Sequence, residues 1–236
     1  MSEFISRLTN FSFLPKYLPY FVKGVECTLI ISVLSVLAAM LPALLLALMR
    51  LSKNKVLKAL SGIYISIFRS TPLLVQLYIV YFGPFGVITL PSYKLFGFID
   101  TAILLPGVVA LALNSSAYVA EIIRAGILAV DQGQTEAARS LGLTQSQNMK
   151  YIVLPQAIKN IIPTLANELI TMVKESSIIG YLGVQDLMWG TRTTVGATFL
   201  PLSPYLLAAI IYFCINFPAG KAIEVLERRM RRGDVR

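Results

Sequence analysis

The apolar run over residues 25–49 constrains this chain more than any other feature. A helix of roughly 20 apolar residues crosses the hydrocarbon core of a bilayer, and this run is longer than that. Similar runs cover residues 56–82, 98–124, 155–179 and 203–219. The pattern predicts an all-α integral membrane protein of about five spans, forming one domain over residues 1–236. Composition agrees, with 56% hydrophobic and 14% charged residues, against about 25% charged in soluble domains. Mean hydropathy is +0.71.

A net charge of +9 would suggest nucleic acid in a soluble protein. Here its distribution argues for lipid. Arg50, Lys53, Lys55 and Lys58 follow the first run, and Arg124, Arg139, Lys150 and Lys159 flank a central polar stretch. Lys221, Arg228, Arg229, Arg231 and Arg232 follow the last run. Basic clusters at alternate helix ends mark the cytoplasmic side. Five spans with a basic C-terminus inside put the N-terminus outside, and nucleic acid is excluded as a partner.

Cys27 and Cys214 lie in apolar surroundings without CxxC spacing, so both read as small buried hydrophobes. The chain has no histidine, which removes most catalytic triads and zinc sites. No metal site is expected. The first apolar run starts too late and runs too long for a cleaved signal peptide. Ahead of it, Phe4, Ile5, Leu8 and Phe11 stand at helical spacing, which suits a short interfacial helix or a flexible terminus. Pro42 is expected to bend the first span.

The second span is interrupted by Arg69-Ser70-Thr71-Pro72. Pro72 lacks an N–H and disfavours helix at Thr71, so a break near mid-membrane is predicted. Gly83, Pro84, Gly86 and Pro91 mark an external loop. Residues 180–200 carry Gly183, Gly190 and Gly196, too broken for a span, and read as an external or re-entrant segment.

The polar stretch over residues 131–154 stands apart from everything around it. Residues 136–141 and 144–151 have good helix formers. Gly142 can take a positive φ that ends the first helix, and Thr144 is placed to cap the second. Pro155 suits the first turn of the next span. The result is a short cytoplasmic helix–turn–helix.

Glu136-Ala137-Ala138, then Gly142, then Ile152 and Leu154-Pro155 resemble the coupling-loop signature of ABC importer membrane subunits at every defining position. Phe68-Arg69-Ser70-Thr71-Pro72-Leu73-Leu74-Val75-Gln76-Leu77, Tyr81-Phe82-Gly83, and Leu18-Pro19 with Gly24 and Thr28-Leu29 look like the polar amino-acid branch, the histidine, glutamine and arginine permeases. The resemblance implies the type I importer permease fold in a bacterial cytoplasmic membrane. It implies three kinds of partner: a cytoplasmic ABC ATPase dimer, a second identical or similar permease subunit, and an external amino-acid-binding protein. Glu136, Ala137, Ala138, Gly142 and Leu143 would engage the ATPase.

Polar groups inside spans are costly and are functional candidates by default. Asn114 and Tyr118 share one face of the third span with Glu121, with Ser115 beside it. Glu168 and Thr171 sit with Asn167 and Glu175 on the fourth, and Arg69 and Gln76 flank the break in the second. Together they would line a pocket for a zwitterion. Its carboxylate would meet Arg69 or freed N–H groups at the break, and its cationic group would meet Glu168. The alternatives are structural: Arg69 pairing with a neighbouring acid, and Glu121 with Arg124 as an i,i+3 pair.

A buried Glu168 favours a basic amino acid, because like charges repel. Neutral or sulfur-containing amino acids and opine-like solutes remain open on these residues. No GxxxxGK[ST] motif is present, so ATP and Mg would be bound by a partner and no cofactor by this chain. A passive channel or a membrane-embedded enzyme is the reading from another class. Neither accounts for the coupling motif.

Overall fold

The computed structural model describes residues 8–95 and 97–231. Phe4 and Ile5 lie outside the described residues, whereas Phe11 packs on Phe13 with ring centroids 6.0 Å apart. Helix α1 (Leu14–Leu51) runs unbroken through Pro19 and Pro42. At 1.5 Å per residue it is about 57 Å long, more than a bilayer requires. It starts well before residue 25 because its first turns are covered. Phe13 and Phe21 are buried against Leu187, and Tyr20 lies 6.1 Å from the Trp189 ring.

Two stripes explain how α1 sits. Ala39, Ala43 and Ala47 recur every fourth residue and are fully buried. Leu37, Leu41, Leu45 and Leu48 face outward. In lipid, apolar side chains gain little by leaving the solvent, so close packing of small residues holds helices together. The alanine stripe meets Ala117 and Ala120 of α5 (Thr101–Leu128), and the leucines are left for acyl chains.

The interrupted span is two helices, α2 (Lys55–Ser70) and α3 (Leu73–Phe82). They meet at 109°, far sharper than a kink, so residues 56–82 are not one straight span. A short helix α4 (Pro84–Val87) and a hairpin of β1 (Lys94–Leu95) with β2 (Ile99–Asp100) follow. No alternation of apolar and polar residues announces strands this short. Gly97 turns the hairpin at φ 78. Asp100 anchors its end, accepting from Ser92 Oγ at 2.7 Å and from the N–H of Ala102 at 2.9 Å, which caps α5.

Helices α6 (Gln132–Ser140) and α7 (Gln145–Asn148) form the polar loop. A π turn (Met149–Val153) then leads into α8 (Leu154–Glu175). Pro155 has no N–H to give, and the chain widens by one residue per turn just before it. A 3₁₀ turn (Ser176–Leu182) and α9 (Leu187–Thr198) make up the glycine-broken segment, neither long enough to span. Helix α10 (Ser203–Arg231) ends the described chain.

Among the described residues three helices, α1, α5 and α10, are long and apolar enough to cross a membrane. The bent pair α2–α3 makes a fourth if it counts as one span. Helix α8 has the length but carries Lys159, Glu168, Lys174 and Glu175, and its polarity belongs to the site. Cys27 is buried as expected; Cys214 is exposed on α10 instead, because that helix has few covering neighbours.

Candidate functional site

Helices α5 and α8 pack side by side, and α2 packs against α5. Between them lies a cavity of about 480 Å³. Tyr118, Glu121 and Ala125 line it from α5; Asn160, Thr164 and Glu168 line it from α8; Arg69 reaches in from α2. The α8 residues recur every fourth position, one helical face. Asn160 and Thr164 are additions to the residues expected from the sequence, although this spacing with Glu168 is the signal that could have found them.

Glu168 is buried, and its Oε1 accepts a hydrogen bond from Ser115 Oγ at 2.8 Å. Ser115 itself is fully buried and reaches the cavity only through Glu168. Arg69 forms no ion pair among the described residues. Its guanidinium lies 5.3 Å from the Tyr118 ring centroid, a cation–π arrangement that leaves its donors for another group. The pair on α5 does form: Arg124 Nε donates to Glu121 Oε1 at 2.8 Å.

Three candidates lie elsewhere. Gln76 Nε2 donates to the carbonyls of Phe68 at 2.8 Å and Thr71 at 3.0 Å. Asn114 Nδ2 donates to Gln76 Oε1 at 2.8 Å and to the Phe68 carbonyl at 3.3 Å. The two amides therefore satisfy the carbonyls that Pro72 strands at the end of α2. Thr171 Oγ1 bonds back to the Asn167 carbonyl of its own helix at 3.2 Å. None of the three lines the cavity.

The polar loop is a built structure. Gly142 adopts φ 82, and the N–H groups of Gly142 and Leu143 bond to the carbonyls of Arg139 and Ala138 at 2.9 and 3.0 Å. This is the Schellman pattern of a helix end. Thr144 and Gln147 form a reciprocal capping box. Asn148 Nδ2 donates to Thr135 Oγ1 at 3.2 Å, tying the two helices together. Ala138 is buried inside the loop and Leu143 is half-buried, whereas Glu136, Ala137 and Gly142 are exposed. Leu141 stands out at the tip, 80% exposed.

Comparison with known proteins agrees with this fold. Residues 35–232 match the family described as binding-protein-dependent transport system inner membrane component. A putative glutamine transport system permease of Rickettsia typhi is 41% identical, covering 92% of this chain and 95% of the relative. The arginine transport system permease ArtQ of Bacillus subtilis is 40% identical, covering 95% and 99%. A crystal structure of an amino acid ABC transporter with histidines superposes with a TM-score of 0.84 at 43% identity, covering 94% of this chain and 99% of that one. The MetNI methionine transporter in an inward-facing state, at 24% identity and a TM-score of 0.71, shares the fold. The chain is a membrane subunit of this transport family, a permease and not an enzyme.

Proposed function

We propose that the chain carries polar amino acids across a bacterial cytoplasmic membrane as the permease of an ATP-driven importer, with a basic amino acid favoured. One observation carries the cargo reading. A single cavity joins a buried acid, Glu168, to Arg69, whose donors are unspent. A cationic side chain or ammonium settles against Glu168 and a carboxylate against Arg69. Asn160, Thr164 and Tyr118 supply the uncharged polar wall. Close relatives are named for glutamine and for arginine alike, and the acid at Glu168 favours the second.

Transport needs partners. A cytoplasmic ATPase dimer binds ATP and Mg and holds the loop over residues 131–154 by the exposed surface of Glu136, Ala137 and Leu141. A second permease subunit completes the pathway, and an external binding protein delivers cargo. The N-terminus then lies outside and the basic C-terminus inside, as the positive charge distribution supports. Closure of the ATPase moves the loop, and α8, continuous with it through the π turn, carries that motion to Glu168.

The test is ATP-driven uptake of labelled arginine and glutamine in proteoliposomes holding permease, ATPase and binding protein. Arginine uptake that Glu168→Gln reduces at least tenfold supports the reading. Glutamine uptake indifferent to that change would keep the permease but end the basic specificity.

A further inference from the structure

A second cavity of about 360 Å³, the lobe, shares Arg69, Tyr118 and Glu121 with the first, and its other walls include Arg50, Gly62, Ser66 and Ser70. Arg50 stands in the last turn of α1. A basic residue there ordinarily reaches into water, as the exposed Lys53, Lys55 and Lys58 do. Arg50 instead folds back onto α2. A methyl group on Gly62 would lie 3.2 Å from its Nη1, so glycine lets the guanidinium rest on the helix.

Arg50 Nε is buried without a hydrogen-bond partner, and Arg50 forms no ion pair among the described residues. Across the lobe, the Arg69 guanidinium lies over the Tyr118 ring without a hydrogen bond, and both arginines lie within electrostatic reach of Glu121. The acid in the lobe wall, Glu121, has its Oε1 held by Arg124 and its Oε2 buried without a hydrogen bond, so one carboxylate stands against three guanidinium groups and positive charge is in excess. Two guanidinium groups with unspent donors thus face one space. Buried donors without acceptors cost free energy, and the planar guanidinium fork matches the two oxygens of a carboxylate.

We propose that this lobe is the inner station for the carboxylate of the cargo amino acid, bound by Arg50 and Arg69. It rests on the transport reading above and adds Arg50 as a specificity residue for the α-carboxylate. Because Arg50 closes α1 at its basic end, the station lies inward of Glu168, where cargo passes after leaving the upper cavity.

Equilibrium binding to the nucleotide-free permease–ATPase complex decides it, with labelled arginine and its decarboxylated amine, agmatine. Wild type is expected to bind arginine at least tenfold more tightly, the scale of one charge-assisted hydrogen bond. Arg50→Gln should bring that ratio close to one, and Arg50→Lys should keep part of it. Equal binding of both ligands by wild type, or an unchanged ratio in Arg50→Gln, overturns the proposal. Should Arg50→Gln fail to assemble, Arg50→Lys decides by the same ratio: an unchanged arginine preference overturns the proposal, and a partial loss supports it. If wild type binds glutamine but no basic amino acid, the basic specificity falls, and glutamine against its own decarboxylated amine then decides the role of Arg50.

Discussion

Asn114 Nδ2 donates to Gln76 Oε1 at 2.8 Å, joining the middle of α5 to the first turn of α3. Through that amide pair a span packed in the core holds the broken helix at its bend. Replacing Gln76 by Leu strands the Thr71 carbonyl and leaves Asn114 Nδ2 and the Phe68 carbonyl only their mutual 3.3 Å bond. The expected cost is about 1–3 kcal/mol for such buried groups, read as a lower melting temperature of the detergent-solubilised permease. A protein that melts normally but shows an altered KM would make Gln76 a cargo ligand instead.

Gly142 is positive in φ, and no atom would contact a Cβ there. The requirement is therefore of the backbone alone. Gly142→Val should cost about 1–2 kcal/mol of local strain and reduce co-purification with the ATPase. Gly142→Asn should be tolerated, since Asn visits the left-handed region. Equal behaviour of the two variants would refute the backbone explanation.

Gly24 meets the backbone of α9: a Cβ would lie 2.7 Å from Leu187 Cα. Backbone cannot swing aside as a side chain can. Gly24→Ala should destabilise by about 1–3 kcal/mol of overpacking, while Gly196→Ala, with nothing near, should be close to neutral. Thermal melting of both variants checks the contrast.

Asp186 is fully buried at the start of α9, its Oδ1 accepting from the Trp189 N–H at 2.7 Å and its Oδ2 without a partner. Burial pushes its carboxyl up to about 7, against the opposing pull of the Trp189 N–H and the nearby Arg192 charge. The folded protein thus keeps a proton that the unfolded chain releases near pH 4. This contribution is complete below about pH 4 and is lost as the pH rises through about 7. Melting temperature should therefore rise from about pH 8 to about pH 5.5, and Asp186→Asn should flatten that rise. A wild-type profile no steeper than the variant's would dismiss the role of Asp186.

Much of this protein is legible in local residues. Apolar run length demands membrane helices, Pro72 demands a break, and Gly142 with Thr144 specifies a turn between two short helices. Each rests on backbone chemistry within a few positions, and such rules act before any long-range contact forms. The limits are also local. Apolar run length places Asn114, Gln76, Thr171 and Glu168 alike inside spans, with nothing to separate cargo ligands from structural ties. The tertiary structure shows which of them share a cavity, and the 109° bend of α2 against α3 is part of that. It brings the carbonyls stranded by Pro72 within reach of Gln76 and Asn114, and it turns Arg69 toward Tyr118 and the cavity. The helix over residues 14–24 is likewise decided by tertiary cover from Leu187 and Trp189. A side chain's partner across 38 or 53 residues, as for Asn114 with Gln76 and Ser115 with Glu168, depends on how whole helices pack. That packing is a collective property no short stretch of sequence encodes.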